Sequence, residues 1–206
     1  MRIGIDFDNT IVCYDEAFHR AAVERQLIPA STPVRKQAVR DLLRAIGREA
    51  DWTELQGWMY GSGMAEATPF PGALEFLARC IRDGIDVRII SHKTRTPYLG
   101  AERDLHASAY AWLEAHGVFE RIGLPRSHVF FELTKEEKLA RIAEERRTVF
   151  IDDLPELLCE PAFPPGVRPL LFDPYGAAES LPADVERVDS WAALEHLLLG
   201  QPEAAS

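Results

Sequence analysis

Arg2-Ile3-Gly4-Ile5-Asp6-Phe7-Asp8-Asn9-Thr10 is the stretch on which the fold turns. Arg2 to Phe7 alternates as a short strand rich in β-branched residues, and Asp6 to Thr10 form a polar turn at its carboxyl end. From Tyr14 the apolar spacing becomes helical. Asp15 is placed to cap a run in which Phe18, Ala22 and Leu27 recur, and Pro29 closes it. A second helix is predicted from Pro33 to Ile46, with Pro33 at its first position and Gly47 at its end. Asp51 is placed to cap a third, carrying Leu55, Trp58 and Met59. Gly61 to Gly72 then reads as a return linker.

Further along, strands and helices alternate. Ala73 to Arg82 is a helix ended by Asp83-Gly84, and Ile85 to Ile90 a buried strand terminating at Ser91-His92-Lys93-Thr94. Asp104 to His116 is helical, Val129-Phe130-Phe131 a short strand, and Lys135 to Arg146 an amphipathic helix. Thr148 to Ile151 is a strong strand ending at Asp152-Asp153. Val167 to Phe172 is another, expected near an edge because Pro169 interrupts it. Trp191 to Leu199 is an apolar helix. The alternation predicts βαβ units, hence an α/β fold with a Rossmann-like parallel sheet and helices on both faces. The expected division is an α/β core over 1–13 and 69–200, a small helical cap over 14–68 inserted after the first strand, and a flexible tail over 201–206.

Composition bounds the function. At 206 residues, with 47% hydrophobic and 27% charged residues, the chain is globular in type and long enough for one domain with an insertion. Its 23 Lys and Arg against 33 Asp and Glu give a net charge of −10, which argues against a broad grip on a nucleic acid polymer or an anionic membrane. A local basic pocket for a phosphorylated small molecule stays compatible with that balance. No run approaches the ~20 apolar residues of a membrane span, and Met1 to Asp6 has no signal-peptide core. Cys13, Cys80 and Cys159 are odd in number and widely spaced, which fits reduced thiols better than a disulfide framework or a zinc site. A cytoplasmic enzyme, monomeric or homodimeric, is the expectation.

Ligands of open parallel sheets bind outside the carboxyl ends of the strands. Here those ends carry Asp6 and Asp8, then Ser91, then Asp152 and Asp153. Carboxylates gathered within a few ångströms repel and shift one another's pKa values, and a cation among them removes that penalty. An all-oxygen donor set favours a hard ion, Mg²⁺ above Zn²⁺.

Asp6-Phe7-Asp8-Asn9-Thr10, Ser91, the Thr134-Lys135-Glu136-Glu137-Lys138 segment and Asp152-Asp153, in that order, resemble the four motifs of the haloacid dehalogenase (HAD) superfamily. The resemblance runs from Arg2 to about Phe172. It implies Asp6 as a nucleophile that forms an aspartyl-phosphate. It implies Asp8 as the acid, then base, of the two half-reactions, its backbone carbonyl facing the metal. Ser91 would hydrogen-bond a phosphoryl oxygen. A lysine early in the Lys135–Arg146 helix would neutralise the phosphate. Lys135 and Lys138 both qualify, and Lys138 is favoured because its spacing to Asp152-Asp153 resembles that of deoxyribonucleotidase-like members. The metal would be Mg²⁺, held by Asp6, Asp8 and Asp153, with Asp152 bound through water or orienting its neighbour. The dehalogenase and phosphonatase branches generally lack an acid two residues after the nucleophile, so Asp8 points to phosphate monoester hydrolysis.

Thr10, His92 and Lys93 are candidate substrate contacts, with loop solvation the alternative for the last two. Trp52, Trp58, Met59 and Tyr60 either stack on a base or sugar or form a small helical core. Arg35, Lys36 and Arg40 read as a wet basic helix face. A helical insertion between the first two motifs resembles a small cap, which favours a small phosphorylated metabolite, a sugar phosphate or a nucleoside monophosphate. Two alternatives stay open: a non-catalytic or regulatory member that binds a phosphorylated ligand, and a phosphotransferase.

Overall fold

The computed structural model describes residues 1–178 and 180–200; the tail expected over 201–206 lies outside the described residues. The chain divides into two compact units. The first comprises Met1–Ile11, Pro69–His92 and Val118–Ser206, the second Val12–Thr68 and Lys93–Gly117. Two-residue strands β2 (Val12–Cys13) and β3 (Thr68–Pro69) mark where the chain leaves the first unit and returns.

The first unit is built on β1 (Arg2–Ile5), β4 (Asp86–His92), β5 (Val129–Glu132), β6 (Val149–Asp152), β7 (Arg168–Phe172) and β8 (Glu186–Val188). They form one sheet in the order β5-β4-β1-β6-β7-β8, and every pairing is parallel. Its helices are α4 (Ala73–Arg82), α6 (Lys135–Glu144), α7 (Pro155–Leu158) and α8 (Trp191–Leu199). Ile3, Ile5, Val87, Ile89, Phe150, Ile151, Leu170 and Leu171 are buried, as a sheet covered on both faces requires. Gly4 lets the strands close up, since a Cβ there would lie 2.5 Å from the Phe150 ring.

β7 lies beside the edge strand β8, so Pro169 sits near an edge as expected. It pairs with Phe150 of β6, while the ladder to β8 starts only at Leu170–Glu186, so the missing N–H falls outside that ladder. The edge strand β8 is three residues long and carries two charges, too little for a period-two pattern. β4 runs two residues past the expected end, with Ser91 paired to Phe131 and His92 to Glu132.

The second unit holds α1 (Asp15–Glu24), α2 (Lys36–Ala45), α3 (Glu49–Tyr60) and α5 (Leu105–Ala115). Asp15 does not cap its own helix; it accepts the Lys36 N–H at 2.7 Å and so serves the start of α2. α3 begins at Glu49, which places Asp51 inside its first turn, and Arg48 pairs with Asp51 at 2.7 Å. Residues 93–117 belong with 12–68 by their contacts, whereas the pattern of strands and helices alone had put them in the α/β part. The reason is packing: the Trp112 indole donates to the Ala67 carbonyl at 2.9 Å, and a Cβ at Gly57 would lie 2.4 Å from the Leu99 carbonyl oxygen.

Candidate active site

The parallel register brings distant carboxylates together. Ile5 lies beside Ile151, so Asp6 follows β1 where Asp152 ends β6, and the Asp6 N–H donates to the Ile151 carbonyl at 2.8 Å. After Asp8 the chain reverses, with Asn9 at φ 57°, a left-handed conformation that Asn tolerates better than most residues. The Ile11 N–H closes the turn on the Phe7 carbonyl at 3.1 Å, and the Trp191 indole holds the Thr10 carbonyl at 3.1 Å.

α6 delivers the lysine. Thr134 Oγ1 accepts from the Glu137 N–H at 3.1 Å while Glu137 Oε2 accepts from the Thr134 N–H at 3.2 Å, a reciprocal cap that fixes where the helix starts. One turn in, Lys138 shares a buried face with Leu139 and Ile142. Its Nζ donates to Asp6 Oδ1 at 2.5 Å and to Asp152 Oδ2 at 2.6 Å, with the ammonium 5.5 Å from the Phe150 ring centroid. Lys135 is not in this cluster: it is about half exposed and pairs with Glu160 at 2.6 Å.

Ser91 Oγ donates to Asp6 Oδ1 at 2.8 Å. Both donors therefore converge on one oxygen of Asp6, and neither takes the other. Asp152 is fully buried, its Oδ1 accepting the Leu154 N–H at 2.9 Å and its Oδ2 the Lys138 ammonium. Asp153 is only partly buried. Asp6, Asp152 and Asp153 each present a carboxylate oxygen within 4.8 Å of the others. That spacing and the oxygen-only donors suit a hard divalent cation. Glu160 and the Leu154 amide, which occupy Lys135 and Asp152, left no trace in the residue pattern.

The electrostatics follow from burial. Desolvation pushes the Asp6 carboxyl up to about 6; Lys138 opposes the rise, while Asp152 and Asp8 add to it. Burial also works against the Lys138 charge, yet Asp152 and Asp6 carry its pKa above the ordinary lysine range. One ammonium thus faces several carboxylates, and negative charge is left in excess.

Of the proposed substrate contacts, Thr10 is fully buried and its hydroxyl lacks a hydrogen-bond partner. His92 is exposed, with Nε2 3.1 Å from the Leu133 carbonyl oxygen. Lys93 falls in the second unit.

No family model and no curated protein matches this chain. Solved structures do, and the fold they define is that of the HAD-like hydrolases. The HAD-hydrolase YfnB of Bacillus subtilis, bound to magnesium, is similar at TM-score 0.60 and 15% identity, over 96% of this chain and 98% of its own. A HAD-superfamily hydrolase of Ehrlichia chaffeensis is similar at TM-score 0.56 and 13% identity, over 95% and 94%. A HAD phosphatase of Thermococcus onnurineus is similar at TM-score 0.51 and 14% identity, over 97% and 98%.

Proposed function

We propose that this chain is a Mg²⁺-dependent phosphatase acting on a small phosphorylated metabolite through an aspartyl-phosphate on Asp6. The observation that carries the reading is the placement of Ser91 and Lys138 on one oxygen of Asp6, with Asp152 and Asp153 within ligand distance. With Oδ1 held by Lys138, Oδ2 attacks phosphorus and the bond to the leaving oxygen breaks. Asp8 gives its proton to that alkoxide, then takes one from the water that attacks phosphorus; the P–O bond to Asp6 breaks, phosphate leaves, Asp6 is a carboxylate again and Asp8 again holds its proton. With phosphate bound, Lys138 turns its third N–H, and Ser91 its single O–H released from Asp6, to the phosphoryl oxygens, where they stabilise charge. Asp6 and Asp153 would hold the ion, together with the Asp8 carbonyl, while Asp152 positions Lys138. When bound, Mg²⁺ supplies positive charge that screens the anionic carboxylate from the anionic phosphate.

The phosphatase of T. onnurineus and the magnesium-bound YfnB support this class of chemistry, and a dehalogenase similar at TM-score 0.59 and 16% identity defines the competing one. Asp8 favours hydrolysis of phosphate esters, because an alkoxide needs a proton to leave and a halide does not. The helical unit supports a metabolite substrate, a sugar phosphate or nucleoside monophosphate, over a phosphoprotein. The test is a panel of phosphorylated metabolites and 2-haloacids assayed with Mg²⁺ and with EDTA. Phosphate release that needs the metal is expected. Halide release, or metal-independent turnover, overturns the assignment. Alcohol acceptors added to the same assay separate a hydrolase from a phosphotransferase.

A further inference from the structure

Asp8 stands inside a turn that is tied at both ends. The Ile11 N–H donates to the Phe7 carbonyl at 3.1 Å, so Asp8, Asn9 and Thr10 are the three residues the turn encloses. Its start is fixed to the sheet: the Asp6 N–H donates to the Ile151 carbonyl at 2.8 Å, and the buried Phe7 ring meets Phe131 edge-on at 5.3 Å. Its end is fixed to the return segment, where the Phe70 N–H donates to the Ile11 carbonyl at 2.8 Å. Ends held in this way leave a rotation of the enclosed peptides about the line from Phe7 to Ile11, because each residue keeps two soft dihedrals. That rotation swings the Asp8 side chain.

The Trp191 indole opposes it. Its N–H donates to the Thr10 carbonyl at 3.1 Å from 181 positions along the chain, and both residues belong to the first unit. The Thr10 hydroxyl is buried without a hydrogen-bond partner and adds no second tether. The indole is itself held in place. Trp191 is fully buried, its ring 5.1 Å from Phe76 and 5.7 Å from Phe172. Gly72 makes room for it, since a Cβ there would lie 3.0 Å from Trp191 Cβ. α8, which Trp191 begins, is secured at both ends. Ser190 Oγ accepts the Ala193 N–H at 3.2 Å, and Arg79 of α4 donates to the Leu199 and Gly200 carbonyls at 3.1 and 3.2 Å. A donor on an element clamped in this way can fix the carbonyl it meets.

We propose that Trp191 is a positioning residue for Asp8: through the Thr10 carbonyl it sets the direction from which Asp8 protonates the leaving oxygen. The inference rests on the phosphatase reading above and gives α8, which carries none of the four motifs, a part in the acid step. The aromatic packing explains why a large ring stands at position 191, and the hydrogen bond is what an indole adds to it. A shift of about 1 Å at a reacting group can cost ~10²-fold in rate, so a tether two residues from the acid has leverage on the reaction.

The experiment uses the full chain and two replacements at this position. Trp191→Phe keeps a ring between Phe76 and Phe172 and deletes the N–H. Incorporation of 3-benzothienylalanine keeps the outline of the indole with sulfur in place of the N–H, and it serves where the phenylalanine variant fails to fold. In the assay, kcat/KM is measured with Mg²⁺ on a paired alkyl and aryl phosphate. Only the alkyl ester needs a proton to leave, so the alkyl-over-aryl ratio is expected to fall about tenfold in both variants. A merely structural role lowers both substrates alike and keeps the ratio. Arg147→Met, which loosens the far end of the sheet, provides the ratio expected from lost stability alone, namely that of the wild type. Crystal structures give the second readout: residues 8–10 are expected to be displaced or spread over conformers in the variants while Asp6 and Lys138 superimpose on the wild type. An unchanged ratio overturns the proposal, and so do residues 8–10 that superimpose as well. If the wild type hydrolyses no phosphate ester with Mg²⁺, the phosphatase reading alone fails, and the crystals still decide whether the indole sets Asp8.

Discussion

The two ends of the same three central strands carry opposite kinds of charge arrangement. At the amino end, Arg88 and Arg147 meet Asp86 and Glu145: Arg147 donates to Asp86 Oδ2 at 2.8 Å and Arg88 to Glu145 Oε2 at 3.1 Å. Arg88 also contacts Asp86 and His128, and burial together with Arg88 lowers the His128 pKa. Two guanidinium groups answer two carboxylates. At the carboxyl end, Lys138 faces Asp6 and Asp152, with Asp153 and Asp8 adding to the same side. A balanced network completes itself and serves as scaffold. An unbalanced one is stable only at a cost, which a ligand of the missing sign removes.

Substitutions at the two ends should therefore separate activity from stability. Asp6→Asn is expected to drop turnover to background in the phosphatase assay while circular dichroism and thermal unfolding report a folded chain; measurable turnover would end the nucleophile assignment. Asp8→Asn should slow alkyl phosphates by about 10²–10⁴-fold, the usual worth of general acid–base catalysis, and aryl phosphates far less. Equal slowing of both would deny Asp8 the acid role.

The amino end should behave the other way. Arg147→Met leaves Asp86 short of a partner and is expected to cost about 1–3 kcal/mol in urea unfolding with kcat unchanged. A fall in kcat without a loss of stability would erase the distinction between the two ends. The metal should show its own pH signature. Because the folded Asp6 pKa is raised to about 6 from 3.8, the metal-free protein binds more protons than its unfolded chain across that interval. Its contribution to stability is present below about 4 and is lost as pH rises through about 6. Mg²⁺ prefers the ionised carboxylate, so the rise in Tm on adding it should be larger well above pH 6 than well below. A rise independent of pH would place the ion elsewhere. Lys135→Ala should be the smallest change of all, leaving both kcat and Tm where they are, since that half-exposed lysine pairs with Glu160 away from Asp6.

Three of the four motif positions were legible because each ends or follows a strand whose apolar pattern is strong, and parallel strands deliver their carboxyl ends to one edge. Ile5, Ile90 and Ile151 announce themselves, and Asp6, Ser91 and Asp152 come with them. β8 was not legible, because Glu186-Arg187-Val188 offers one buried side chain and no alternation. Pro169 was a sound guide to a place near the edge, though which neighbour would need its missing N–H is a matter of register. Residues 93–117 were misplaced because Trp112 and Leu113 declare an apolar helix face without naming the surface that covers it. Lys135 and Lys138 are both followed four residues later by an apolar residue, so only the spacing to Asp152-Asp153 favoured Lys138, the lysine that reaches Asp6.

By itself the sequence determined the alternation of the main strands and helices, the polar ends of the strands and the excess of carboxylates among the motifs, because hydrophobic period and turn chemistry are local. Only the tertiary structure decided that Lys138 and not Lys135 reaches Asp6, that Ser91 and Lys138 share one of its oxygens, and that the Trp191 indole meets the Thr10 carbonyl. Those are distances between groups far apart along the chain, and packing rather than local pattern sets them.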